Sequence, residues 1–200
     1  EKADKVGGTW RENTYPGVAC DIPAHMYTYS FQGNPEWQHR FAHGDEIQAY
    51  FEKISADYGV SGQVRFNESV DACHYRGGKW YLSTSRGNEL VADFVIAATG
   101  ILHHPAYPDI QGLDSFQGAM FHTARWDHNV DLAGKRVGII GTGSTAAQVI
   151  SEISKTAGSL TIFQRTPQWI LDTPDKDYSE REKARLRGNQ GRMDKLRQRY

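Results

Sequence analysis

Arg136-Val137-Gly138-Ile139-Ile140, running straight into Gly141-Thr142-Gly143-Ser144-Thr145-Ala146, constrains the fold more than any other stretch of the chain. The first five residues form a short apolar run suited to a buried parallel strand. A glycine turn follows, and then Ala146, Val149, Ile150 and Ile153 recur on one face of a helix, with Gly158 past its end. The next apolar run, 160–163, is a second strand. Strand, glycine turn, helix and strand make one βαβ unit, which predicts an α/β fold.

The turn reads GxGxxA and sits where a strand meets a helix, the context a dinucleotide-binding turn requires. Gly141 permits the tight turn, Gly143 lets the backbone approach a pyrophosphate, and Ala146 is small enough for close helix–strand packing. Thr142, Ser144 and Thr145 complete the turn, and the helix N-terminus offers unpaired N–H groups to phosphate. An NAD site usually carries an acidic residue at the end of the second strand, about 20 residues on, to hold the ribose 2′-hydroxyl. Here that strand end reads Gln164-Arg165-Thr166. A guanidinium suits a 2′-phosphate, so NADP is favoured over NAD, with a plain surface arginine as the other reading of Arg165.

Around this unit, residues 1–44 are rich in Gly, Pro, Tyr and Asn and read as loops. The spacing of Ile47, Tyr50, Phe51, Ile54 and Tyr58 predicts a helix over 45–58, ended by Gly59. Strands are expected over 64–75 and 80–84, either side of an Arg76-Gly77-Gly78-Lys79 turn, and over 89–98. The tail beyond Pro174 is charged and helical in pattern. The chain has 200 residues with a net charge of −1, which implies neither a nucleic-acid nor a membrane-surface partner. No apolar run is long enough to span a bilayer and no leader is visible; with two cysteines read as reduced thiols, Cys20 and Cys73, a cytoplasmic location is expected. The histidines show no metal-ligand spacing, so no metal is expected, and no GxSxG nucleophile elbow occurs.

Ahead of the glycine turn lies Phe116-Gln117-Gly118-Ala119-Met120-Phe121-His122-Thr123-Ala124-Arg125-Trp126-Asp127, which reads FxGxxxHxxxWD. Followed by GxGxxA, it resembles the fingerprint of Baeyer–Villiger monooxygenases. Val6-Gly7-Gly8-Thr9-Trp10, Tyr15-Pro16-Gly17, Cys20-Asp21 and Tyr27-Thr28-Tyr29-Ser30-Phe31 follow the family's pattern in order. The resemblance implies two Rossmann-like domains, for FAD and NADP, both incomplete here. The FAD part is placed at 1–112, a linker bearing Phe116, Gly118, His122, Trp126 and Asp127 at 113–134, and the start of the NADP domain at 135–200. It implies that Glu1 holds the adenosine ribose, that Thr9, Trp10, Asp21 and Tyr27 line the flavin, and that Val70 and Ala98-Thr99-Gly100 lie near the adenine and pyrophosphate. The resemblance implies that Asp21 acts indirectly, through an active-site arginine outside this sequence. It implies that His122 and Trp126 support cofactor positioning and domain motion; the other reading is a His and Trp simply packed at a domain seam.

The implied activity uses NADPH, FAD and dioxygen to insert oxygen beside a ketone, giving an ester or lactone. Oxygenation of nitrogen or sulfur in soft nucleophiles is the first rival, and a non-catalytic dinucleotide-binding redox module the second. Residue 1 is Glu and the chain stops in a basic stretch, so it reads as a piece of a longer protein, expected to be inactive alone and to hold FAD poorly. The residues alone leave Trp10 as a stacking or a packing side chain, and Asp21 as a buried functional carboxylate or a turn residue. Two departures stand out. Ile101 replaces a polar or aromatic residue near the flavin, and Arg11-Glu12 replaces an aromatic pair, which points towards aryl ketones.

Overall fold

A computed structural model describes residues 1–171 and 173–199. The loop-rich start holds one helical turn, α1 (Thr9–Glu12), which the sequence did not foreshadow. Helix α2 (Gly44–Asp57) lies where periodicity placed it. Its first turn is closed by Glu46, whose carboxylate accepts from the His43 amide at 3.1 Å, and Gly59 ends it at φ 67°. Its buried face presents Ile47, Tyr50 and Ile54 to Cys20, Ala24, Trp37 and Ala42. The first core is therefore one helix closed by the ordered loops before it, with Trp10 and Tyr27 at its margin.

Strands β1 (Val70–Arg76), β2 (Lys79–Thr84) and β3 (Glu89–Ala92) form an antiparallel meander, with Tyr75 opposite Trp80 and Leu82 opposite Leu90. Two expectations are corrected here. The strand predicted from residue 64 begins at Val70, because the chain before it makes a 3-10 turn at Ser61–Gln63 and Asn67 takes a left-handed φ of 55°. The strand predicted over 89–98 stops at Ala92. A strand needs a neighbour for its amides, and 93–100 has no ladder partner among the described residues. Phe94 and Ile96 are accordingly exposed.

Strands β4 (Arg136–Ile140) and β5 (Ser159–Phe163) pair in parallel, Val137 beside Leu160 and Ile139 beside Ile162, with helix α3 (Ser144–Ile153) as the crossover. Val149 and Ile153 of α3 pack on Ile139 and on Tyr15 from the first part of the chain. The tail then returns to the first part. The Arg40 amide donates to the Lys176 carbonyl at 2.9 Å and Arg187 grips Glu36 through two hydrogen bonds of 2.6 and 2.7 Å. Helices α4 (Glu180–Ala184) and α5 (Gln190–Gln198) bracket buried Leu186, and α5 buries Met193. Among the described residues no helix is long and apolar enough to cross a membrane.

Two histidines at this tail seam should titrate in opposite directions. Burial opposes charge on His39, but the hydrogen bond to Glu46 and the charges of Glu46, Asp177 and Asp175 outweigh it and raise its pKa. Burial alone lowers that of His25, which packs edge-on against Tyr178. Both titrate near about 6.5 when unfolded. Stability from charged His39 is present below that value and fades as pH rises through its folded pKa. Stability from neutral His25 is present above it and is lost as pH falls. An NMR titration should place the His39 midpoint above the His25 midpoint; the reverse order would contradict this packing.

Candidate cofactor-binding site

The glycine turn links β4 tightly to the N-terminus of α3. Gly141 holds φ 115°, a conformation that side chains resist. Gly143 is the N-cap of α3, and Ser144 opens the helix. A Cβ at Gly141 or Gly143 would meet no atom within 4 Å, so the backbone there is open to a ligand. Ala146 is buried against the β4 side, as the third position of the motif demands. The Gly141 amide donates to the Phe163 carbonyl at 2.9 Å, and the Thr142 hydroxyl donates to the Thr166 carbonyl at 3.3 Å. These bonds bring Arg165, exposed just past β5, alongside the turn.

The residues assigned to the flavin side are placed less uniformly. Trp10 and Tyr27 meet: the indole N–H donates to the Tyr27 hydroxyl at 2.9 Å, with the rings edge-on at 5.5 Å. Thr9 opens α1, and Gly8 before it has φ 51° with open space above it. The Glu1 carboxylate accepts from the Ala3 amide at 3.0 Å. Backbone and side-chain contacts with Ala3 and Arg11 hold its carboxyl below the usual range against the effect of burial. Val70, Ala98, Thr99 and Gly100 are exposed, the last at φ 76°. Asp21 is exposed, which corrects the reading of it as a buried carboxylate. The cause is the turn at 21–22, which leaves Ile22 exposed too while Cys20 points into the core.

The FxGxxxHxxxWD segment is a chain of local contacts. A Cβ on Gly118 would lie 2.6 Å from the tip of the exposed Phe116 ring, which would have to shift to admit it. The His122 ring accepts from the Ala124 amide at 3.1 Å and lies edge-on to Tyr107. Burial, then nearby Arg125, lowers its pKa. Trp126 meets Phe121 edge-on and joins the core beneath α3, while Asp127 caps its own turn by accepting from Asn129. His122 thus makes local contacts, while Trp126 packs against the core beneath α3.

Gln148 is the seam residue that sequence patterns did not single out. Its side chain donates to the Ala19 carbonyl at 3.0 Å and to Asp21 Oδ1 at 2.8 Å, and accepts from the Tyr15 hydroxyl at 3.0 Å. It ties α3 to the segment that holds Asp21. The only local signal was a polar residue beside the apolar stripe of α3. The same contact explains Tyr15-Pro16-Gly17: Gly17 has φ 80°, and a Cβ there would sit 2.8 Å from the Gln148 carbonyl oxygen. Gly17→Ala is expected to lower stability by about 2 kcal/mol, since left-handed strain of about 1–2 kcal/mol adds to the clash. Thermal unfolding at constant pH checks it, and an unchanged Tm would exclude this close approach.

The histidines without metal spacing in sequence do gather in space. Ligand atoms of His39, His43 and Glu46 lie within 4.8 Å of one another. The two rings stack at 3.8 Å and 10°, so their in-plane nitrogen lone pairs lie in near-parallel planes. Glu46 is already engaged by the His43 and Gln38 amides. The geometry is that of a helix cap.

A family model described as flavin-binding monooxygenase-like matches residues 1–180. The chain belongs to that family. Among relatives, an uncharacterized monooxygenase of Mycobacterium tuberculosis is 51% identical over 180 residues, covering 90% of this chain and 36% of its own length. A Baeyer-Villiger monooxygenase of Streptomyces coelicolor is 47% identical over 186 residues, covering 92% and 36%. The solved structure of OTEMO in complex with FAD and NADP superimposes with a TM-score of 0.86 at 35% identity, covering 96% of this chain and 38% of that one. The α/β architecture expected from the sequence is therefore that of the matching part of this family's fold. The chain spans 36% of the length of these curated relatives.

Proposed function

We propose that this chain is the part of an FAD- and NADPH-dependent monooxygenase that joins the two cofactors, in a protein that converts a ketone into an ester or lactone. The carrying observation is the open glycine turn at the N-terminus of α3, packed through Gln148 directly onto the segment holding Asp21. Membership of a flavin-binding family and the names of its relatives support the rest of the reading.

Both groups fit the residues present. Gly141, Gly143 and the first amides of α3 would bind the NADP pyrophosphate, with Arg165 on the 2′-phosphate. Glu1 would hold the adenosine ribose of FAD. Thr9 and Trp10 would border the flavin, and Ala98, Thr99 and Gly100 the adenine and pyrophosphate; a Cβ on Gly8 or Gly100 meets no atom within 4 Å. Bound together, the two cofactors supply the hydride and the activated oxygen. The chain's own work is to bind, orient and shield. Asp21, held by the Gln148 amide, would position a cation supplied from outside these residues, and Trp10 and Tyr27 present a rigid aromatic wall.

Product analysis on the full-length protein tests this. Given NADPH, dioxygen and a compound carrying both an aryl ketone and a thioether, the expected product is the ester, with or without sulfoxide. Sulfoxide alone would assign the protein to heteroatom oxygenation. Neither product, with no flavin bound, would leave a dinucleotide-binding module.

A further inference from the structure

Arg11 and Glu12, the pair that departs from the family's pattern, do not hang in solvent. The Arg11 guanidinium donates to the Lys5 carbonyl at 2.6 Å, to Glu1 Oε1 at 3.3 Å and to Glu12 Oε1 at 3.0 Å. The other Glu12 oxygen meets His103 Nδ1 at 2.7 Å, across 91 residues of sequence. His103 Nε2 faces the Lys2 ammonium. An ammonium only donates, so Nε2 accepts and the ring proton sits on Nδ1, aimed at the Glu12 carboxylate. The His103 carbonyl in turn accepts from Arg125 at 3.0 Å.

These contacts differ from ordinary surface ion pairs, which contribute little. The Arg11, Glu12 and His103 side chains are only 11%, 17% and 20% exposed. Each has more than one polar partner, so removing one strands the others partly desolvated. Their placement gives the run its meaning. Glu12 ends α1, which carries Thr9 and Trp10. His103 follows Gly100 by three positions, and Arg125 lies between His122 and Trp126.

We propose that Glu12 and His103 are positioning residues that link helix α1 and the turn ending at Gly100 to the FxGxxxHxxxWD segment through Arg125. The inference rests on the flavin reading above. On it, the departing Arg11-Glu12 pair registers the flavin-side wall against the segment that leads into the NADP unit.

The test uses full-length protein with Glu12→Gln, His103→Leu, the double variant, and His103→Asn, whose amide N–H falls where Nδ1–H was. Three properties are measured: amide hydrogen exchange over 122–126, bound FAD by visible absorbance, and the rate constant of flavin reduction by NADPH. Glu12→Gln and His103→Leu should each speed exchange at 122–126 about tenfold, leaving α2 unchanged, and slow reduction about tenfold with FAD retained, a size typical of coupling between sites. The double variant should be no worse than the poorer single, because the two act through one contact. His103→Asn should recover most of the loss. A flavin-loaded protein whose exchange and reduction are unaffected, or in which the two single effects multiply, would overturn the positioning role alone. Wild-type protein that binds no FAD would overturn the flavin reading and the role together, whatever the exchange data show.

Discussion

Replacing Arg165 by Ala in the full-length protein is expected to weaken NADPH binding about 10- to 100-fold while leaving NADH binding nearly unchanged. Arg165 sits two positions beyond β5, and the Thr142 hydroxyl bond to the Thr166 carbonyl ties that strand end to the glycine turn. A nucleotide whose pyrophosphate lay on the α3 N-terminus would bring its ribose 2′ position towards this strand end. The guanidinium is exposed, so it is available to a ligand. Hydrogen bonds to a charged group contribute about 1.5–3 kcal/mol, and each 1.4 kcal/mol is a factor of ten, which gives the stated range. The selectivity is the diagnostic part, because NADH lacks the 2′-phosphate. Calorimetric titration with both nucleotides checks it. Equal weakening of both would make Arg165 a structural residue, and no change for either would place the 2′-phosphate elsewhere.

The parts of this architecture that could be read in advance are those fixed by short-range rules. The β4–turn–α3–β5 unit is specified within 28 residues by an apolar run, a glycine turn and a helical stripe, and the structure realises all four elements. Helix α2 and the turn at Arg76-Gly77-Gly78-Lys79 were legible for the same reason. Residues 93–100 were misread because β-propensity records a wish for a partner, and pairing is a tertiary event. The seam was illegible for a related reason. Gln148 is an ordinary helix residue until Tyr15, Ala19 and Asp21 are brought to it from about 130 positions away. The gathering of Glu1, Arg11, Glu12 and His103, and the grip of Arg187 on Glu36, depend on pairings that no local pattern announces. Motif matching named the turn that would bind a dinucleotide; only the fold shows what braces it.

Trp37→Ala should be the most destabilising single change in the first core, by about 3–5 kcal/mol, as for other buried aromatic truncations. Trp37 is 1% exposed and packs on Tyr50 at 5.4 Å, among Ala24, Ala42 and Ile47. It anchors the loop whose Glu36, Gln38 and Arg40 receive the returning tail, so its loss should also loosen 174–199. Trp37→Phe separates two contributions. The indole N–H is buried with no hydrogen-bond partner among the described residues, and leaving such a donor unmet costs about 1–3 kcal/mol. Phenylalanine keeps most of the apolar contact and removes that donor, which offsets part of the lost volume. The expected loss is therefore about 1 kcal/mol for Phe, several-fold less than for Ala. Urea unfolding of both variants gives the ratio, and limited proteolysis reads tail release. Equal losses for Phe and Ala would show that the indole N–H has a partner after all and that the ring's polar edge, not its volume, holds the loop.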